Sequence, residues 1–179
     1  MATIFSHPAV AIGLIPLFKS IIKKKLVIVF AIFLTILPDF DIIGYYLKIP
    51  YNSLFGHRGF SHSIIFACLM SFLFAIFIKY LYKFKLWKVW LYFFLSIMSH
   101  SFLDSITNGG LGVAFFSPFS NKRYFMPFRL LLVSPIGLKR FFTHYGWTVI
   151  ISELKCVWFP SLILFLIGIF KNIIFKNKI

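Results

Sequence analysis

The chain has 179 residues, 60% hydrophobic and 21% aromatic, with a mean hydropathy of +0.93 and 19 Lys and Arg against 4 Asp and Glu. Soluble domains carry roughly 45–50% apolar residues, so the composition excludes an ordinary water-soluble protein and indicates one integral-membrane domain over residues 1–179. The formal net charge of +15 would point to nucleic acid in a soluble chain. Here the basic residues fall in short clusters between apolar runs, so membrane lipids are the expected partners and no direct nucleic-acid contact is expected.

In chain order, Ser6-His7-Pro8 reads as a helix start, with Pro8 at the first helical position and Ser6 as its cap. Ala9 to Ile22 and Leu26 to Leu37 are apolar arms of a helical hairpin whose tip is Lys23-Lys24-Lys25. Each arm is about 22 Å long, short of the roughly 30 Å hydrocarbon core, and Pro38 is expected to stop the second. Phe40 to Leu54 reads as an interfacial loop, Ile64 to Leu81 as the clearest transmembrane segment, and Val89 to Leu103 as its return across the membrane after a turn marked by Lys79, Lys83, Lys85 and Lys88. Leu111 to Lys155, broken by Pro118, Pro127 and Pro135, is expected to lie on the surface among headgroups. Cys156 to Phe170 is the last span, with Lys171, Lys176 and Lys178 beyond it. No cleavable signal peptide is expected. Cys68 and Cys156 form no Cys-x-x-Cys pair and read as small apolar residues.

The fold expected from this pattern is all-α: a polytopic bundle of four or five membrane helices. The positive-inside rule places the three lysine clusters in the cytoplasm with five crossings and an outside N-terminus, although the basic 111–155 segment runs against it.

Potential metal ligands are rare, yet they sit at segment ends. His7 opens the first helix, Asp39 and Asp41 follow the second, His57 and His62 precede the third, and His100 and Asp104 close the fourth. In an up-down bundle these seven residues share one end. His100 and Asp104, four apart on a helix, share a face. Gly59 is expected to let the backbone turn so that His57 and His62 point the same way. Imidazoles with carboxylates suit zinc, manganese or iron, and a bound divalent ion makes hydrolysis the economical chemistry. Asp39 or Asp41 would bridge ions or take a proton from water, and Arg58 would neutralise a phosphate. Ser61 and Ser63 read as caps or supporting donors. His144 reads as structural.

His7-Pro8, Pro38-Asp39-x-Asp41, His57-Arg58-Gly59-x-Ser61-His62-Ser63 and His100-x-x-x-Asp104 resemble the YdjM family of bacterial membrane-bound, metal-dependent hydrolases. The resemblance extends through Gly109-Gly110-Leu111-Gly112, Pro118 to Phe125, Ser134-Pro135-Ile136-Gly137 and Ser152-Glu153-Leu154. That family is also labelled LexA-binding and inner-membrane-associated, which implies a regulatory protein partner and a multi-pass location in the bacterial inner membrane. It is distantly similar to zinc-dependent phospholipase C and the single-strand nucleases. The resemblance implies His7, Asp39, His57 or His62, His100 and Asp104 as ligands of one or two ions, most simply zinc. Glu153 would stand in for a missing carboxylate, with Asn121 and Arg123 as substrate-binding or supporting groups. The expected function is metal-dependent hydrolysis of a lipid or lipid-linked phosphoester. The alternatives are a metal- or proton-handling transporter and a non-catalytic protein with a structural metal.

Overall fold

The computed structural model describes residues 2–134 and 142–176; positions 135–137 of the family-like stretch, and Lys178, lie outside them. The first helix, α1 (His7–Leu14), has Pro8 in its first turn, where the missing N–H is not needed, and tightens into a 3₁₀ turn over Ile15–Phe18. Ser6 does not cap it. Its backbone is already helical, and its hydroxyl donates instead to Glu153 Oε2 at 2.7 Å.

Helix α2 (Lys25–Ile36) ends just ahead of Pro38 as expected, but the chain does not leave the helical path there. Pro38 sits in the first turn of a 3₁₀ segment, Leu37–Ile42, where its lost donor costs little, and the chain continues into the short α3 (Ile43–Tyr46). The apolar run Lys25–Tyr46 is therefore 22 residues long, enough to cross a membrane. Ser63 Oγ accepts from Phe66 N at 3.1 Å and caps α4 (Ile64–Tyr82), which turns back into α5 (Leu86–Ser105).

The last pass corrects another boundary. Residues 144–155 are not surface segment: α6 (His144–Glu153) runs through a π turn, Leu154–Trp158, into α7 (Phe159–Lys176). The wide turn falls just ahead of Pro160, whose ring would otherwise meet the carbonyl four residues back. Residues 106–134 are mostly irregular. Among the described residues their only strand-like pairings are the isolated bridges Thr107–Leu131 and Val113–Tyr124.

Val27, Leu34, Ile78, Phe93 and Ile97 form the fully buried centre of the bundle, joined by Tyr92, whose hydroxyl donates to Ala11 O at 3.0 Å. Small residues bring α1 against α7: a Cβ on Gly13 would lie 2.7 Å from Ser161 O. The outer faces expose Leu69, Phe72, Leu73, Phe77, Leu162 and Leu166, as lipid contact requires. Among the described residues, four helical stretches are long and apolar enough to span a membrane, with His7–Phe18 a shorter fifth.

Contacts fix the ends. Trp158 Nε1 donates to Ser6 Oγ and Asn172 Nδ2 to Pro16 O, so α7 runs parallel to α1. Lys24 Nζ lies over the Tyr82 ring, and Lys88 Nζ is 3.5 Å from Ser20 Oγ, so both lysine turns occupy the end opposite His7.

Candidate metal centre

The loop after α3 is wound by its own turns. Ile49 N donates to Gly44 O, Gly56 N to Ser53 O, Gly59 N to Gly56 O and Phe60 N to Leu54 O. Gly59 is needed for a different reason from the one expected. The left-handed residue is Arg58, at φ 62°, whereas a Cβ on Gly59 would lie 2.3 Å from Leu54 O. Close approach of backbone to backbone demands the glycine.

Asp41 organises this loop. Its Oδ2 accepts from Arg58 N at 2.9 Å and Ser61 Oγ at 2.6 Å and lies 3.1 Å from His62 Nδ1; its Oδ1 lies 2.6 Å from His57 Nδ1. Four donors saturate one carboxylate. The rings of His57 and His62 stand perpendicular, 5.8 Å apart.

With Nδ1 of His62 against Asp41 and Ser61 Oγ, its Nε2 is left to face inward. His100 arrives from α5 in the same state: its Nδ1 donates to Thr35 O at 2.7 Å, and its Nε2 lies 3.0 Å from His62 Nε2. Holding one ring nitrogen so that the other offers a lone pair is how metal-binding histidines are usually oriented. Asp39 Oδ1 is 3.4 Å from His100 Nε2 and 3.9 Å from His62 Nε2, and Asp104 Oδ2 is 3.6 Å from His62 Nε2 and 4.0 Å from His100 Nε2. Ligands about 2.05 Å from a tetrahedral zinc would stand about 3.3 Å apart. These four atoms already approximate that figure.

His7 stacks on His100, with centroids 3.8 Å apart, and neither of its buried ring nitrogens has a hydrogen-bond partner. Asp39 Oδ1 and Asp104 Oδ1 are likewise unpartnered. Buried polar atoms are normally satisfied, so orphans converging from three helices fit a cation. Burial disfavours charge on His62, but Asp104 and Asp41 outweigh it and hold its pKa up to about 9. A second, more exposed group of possible ligands comprises Asp39, Asp41 and His57.

Two residues, Arg58 and Glu153, stand elsewhere than the sequence implies. Arg58 is only 1% exposed, with Nε 2.8 Å from Asp104 Oδ2 and its terminal nitrogens donating to Gly109 O and Thr107 Oγ1. It neutralises a carboxylate of the site instead of offering an open phosphate clamp. Glu153 is no stand-in ligand: Thr3 N, Thr3 Oγ1 and Ser6 Oγ all donate to it, tying the N-terminal segment to α6. Arg123 holds the loop from outside, donating to His57 O at 2.8 Å and Tyr51 O at 2.6 Å. Asn121 is exposed. His144 is exposed at the start of α6, outside both groups of possible ligands.

Sequence reasoning missed Thr107, which accepts from Arg58 and whose hydroxyl donates to Asp104 O at 2.7 Å. Its position three residues after Asp104, where a hydroxyl folds back on a helix end, was the available signal.

The sequence profile described as YdjM inner membrane protein matches residues 1–179. The chain belongs to the YdjM family. Inner membrane protein YbcI of Escherichia coli (strain K12) is 40% identical over 166 residues, covering 92% of this chain and 95% of that one. No solved structure matches. With four membrane-length apolar helices, this YdjM-family chain is a multi-pass inner membrane protein.

Proposed function

We propose that this protein is a metal-dependent hydrolase of phosphoester bonds in lipid or lipid-linked substrates. The observation that carries the reading is the convergence of Asp39, His62, His100 and Asp104 at ligand-to-ligand spacing. In it, these four residues hold a divalent ion, zinc by preference and manganese as a compatible alternative, with His7 packed beside them. Such an ion supplies Lewis acidity toward a phosphoryl oxygen and lowers the pKa of a bound water.

The chain's own residues divide the remaining work. Asp41, saturated by four donors, orients His57 and His62. His57 has two possible uses: completing a second site with Asp39 and Asp41, or exchanging a proton at Nε2. Its 2.6 Å Nδ1 contact with Asp41 favours the second, because an imidazole fixed at one nitrogen by a carboxylate is a positioned general acid or base. Arg58 balances the charge of Asp104 and keeps that carboxylate in place. Asp39 and His57, at 12% and 18% side-chain exposure, form the accessible side of the centre. Exposed Phe40, Tyr45, Tyr46 and Phe55 lie on the same segments of chain as Asp39 and His57, which suits a substrate arriving from the membrane interface.

The test is metal content and turnover of the detergent-purified protein. One or two equivalents of zinc or manganese are expected, lost in a His100→Ala, Asp104→Ala double variant. Phosphoester turnover on a phospholipid panel should be abolished in His62→Ala. Equal turnover in wild type and His62→Ala, or no metal in wild type after reconstitution, overturns the proposal.

A further inference from the structure

At the end of the bundle opposite the metal centre, the turn between α4 and α5 borders a groove of about 890 Å³, within the range of small-molecule sites. Leu69, Phe72, Trp87 and Trp90 make its walls apolar, and Lys79, Lys83 and Lys85 line its end. We propose that this groove binds an anionic phospholipid, its phosphate held by the three lysines and an acyl chain laid along the apolar walls.

Charge complementarity decides the occupant. The chain's four acidic side chains, Asp39, Asp41, Asp104 and Glu153, all lie at the other end. None of the three exposed ammonium groups has an ionic or hydrogen-bonded partner among the described residues. Helix electrostatics accounts for Lys79, in the last turn of α4, but not for Lys85, which precedes the N-terminus of α5, where a cation is disfavoured. Lys83 adds an independent cost. It takes the left-handed conformation, φ 56°, that ends α4, a position usually given to glycine. A lysine there is conformationally expensive and contributes charge. Trp87, 59% exposed beside these lysines, has the amphipathic character favoured at headgroup depth. Clustered lysines at this level attract anionic lipid, and the adjoining groove gives that attraction a defined place.

Trp87 and Trp90 make the site observable. The chain has four tryptophans, so a Trp147→Phe, Trp158→Phe parent reports from the groove alone. In phosphatidylcholine vesicles, brominated phosphatidylglycerol should quench this parent with an apparent affinity about fivefold above brominated phosphatidylcholine. Adding Lys79→Gln, Lys83→Gln and Lys85→Gln should bring that ratio to about one while leaving phosphatidylcholine quenching unchanged, which also reports that the fold persists. Lys23→Gln, Lys24→Gln and Lys25→Gln, removing equal charge from the neighbouring turn, should keep most of the excess. A parent ratio near one overturns the proposal whatever the variants do. So does an excess that survives the groove substitutions or disappears equally in both triple variants.

Discussion

The two ends of the bundle handle charge in opposite ways. At the metal-centre end, carboxylates, imidazoles and a guanidinium are buried together and their remaining unpartnered atoms face one another. At the other end, lysines cluster on short turns and most of them are exposed. Burial of an isolated charge is costly, so a membrane bundle can keep ionisable groups inside only where they complete one another. The difference separates a centre in which each side chain depends on the rest from a surface whose charges act additively.

Removing one member of the buried set should therefore have the largest effect. Asp104→Ala leaves Arg58 charged, buried and without its 2.8 Å partner; a loss of about 3–5 kcal/mol is expected, read as a lower melting temperature in detergent together with loss of metal. Asp39→Asn and Asp41→Asn sharpen the contrast inside the centre. Asp39→Asn should reduce metal to background, whereas Asp41→Asn, acting through His57 and His62, should weaken metal binding about 10–100-fold; titration with a competing chelator measures both.

A pH series follows from His62. Its raised pKa of about 9 means that its charged form in the metal-free protein contributes stability that is fully present below about 6.5, the ordinary value, and lost as pH rises through about 9. Metal needs the neutral ring, so loading must displace that proton, and apparent affinity should rise up to about tenfold per pH unit until about pH 9. A pH-independent affinity between 7 and 9 would remove His62 from the ligand set. The smallest effect belongs to the opposite end: Lys23→Gln should change stability by no more than about 0.5 kcal/mol and leave metal content as it was. Metal loss there would erase the distinction between the ends.

Much of this organisation is legible in the sequence because the rules involved are local. Apolar length marks the spans, lysine clusters mark the turns, and alternation of direction brings His7, Asp39, His62, His100 and Asp104 together. What escapes is directional. Pro38 reads as a stop, but its ring tolerates the start of a 3₁₀ turn, so the second span runs longer. Arg58 reads as an anion clamp because no local pattern reveals that Asp104, from a helix 46 residues later, accepts its charge. Glu153 and Arg123 carry family-like motifs, yet their partners, Thr3 and Ser6 in one case and the carbonyls of Tyr51 and His57 in the other, are set by tertiary packing. Which of two neighbouring aspartates is saturated also depends on loop geometry, and Asp39 and Asp41 look alike on paper.

The tie between Glu153 and the segment Thr3–Ser6 bears on how the molecule is made. His7 follows that segment directly, so the first-synthesised edge of the centre is held in part by Glu153 and Trp158, residues of the last helical pass. A chain still emerging into the bilayer has its ligands from the first four helical passes but not the latch. On the proposed metal-binding reading, a chain that lacks the final helix should therefore acquire metal less well than one that has it.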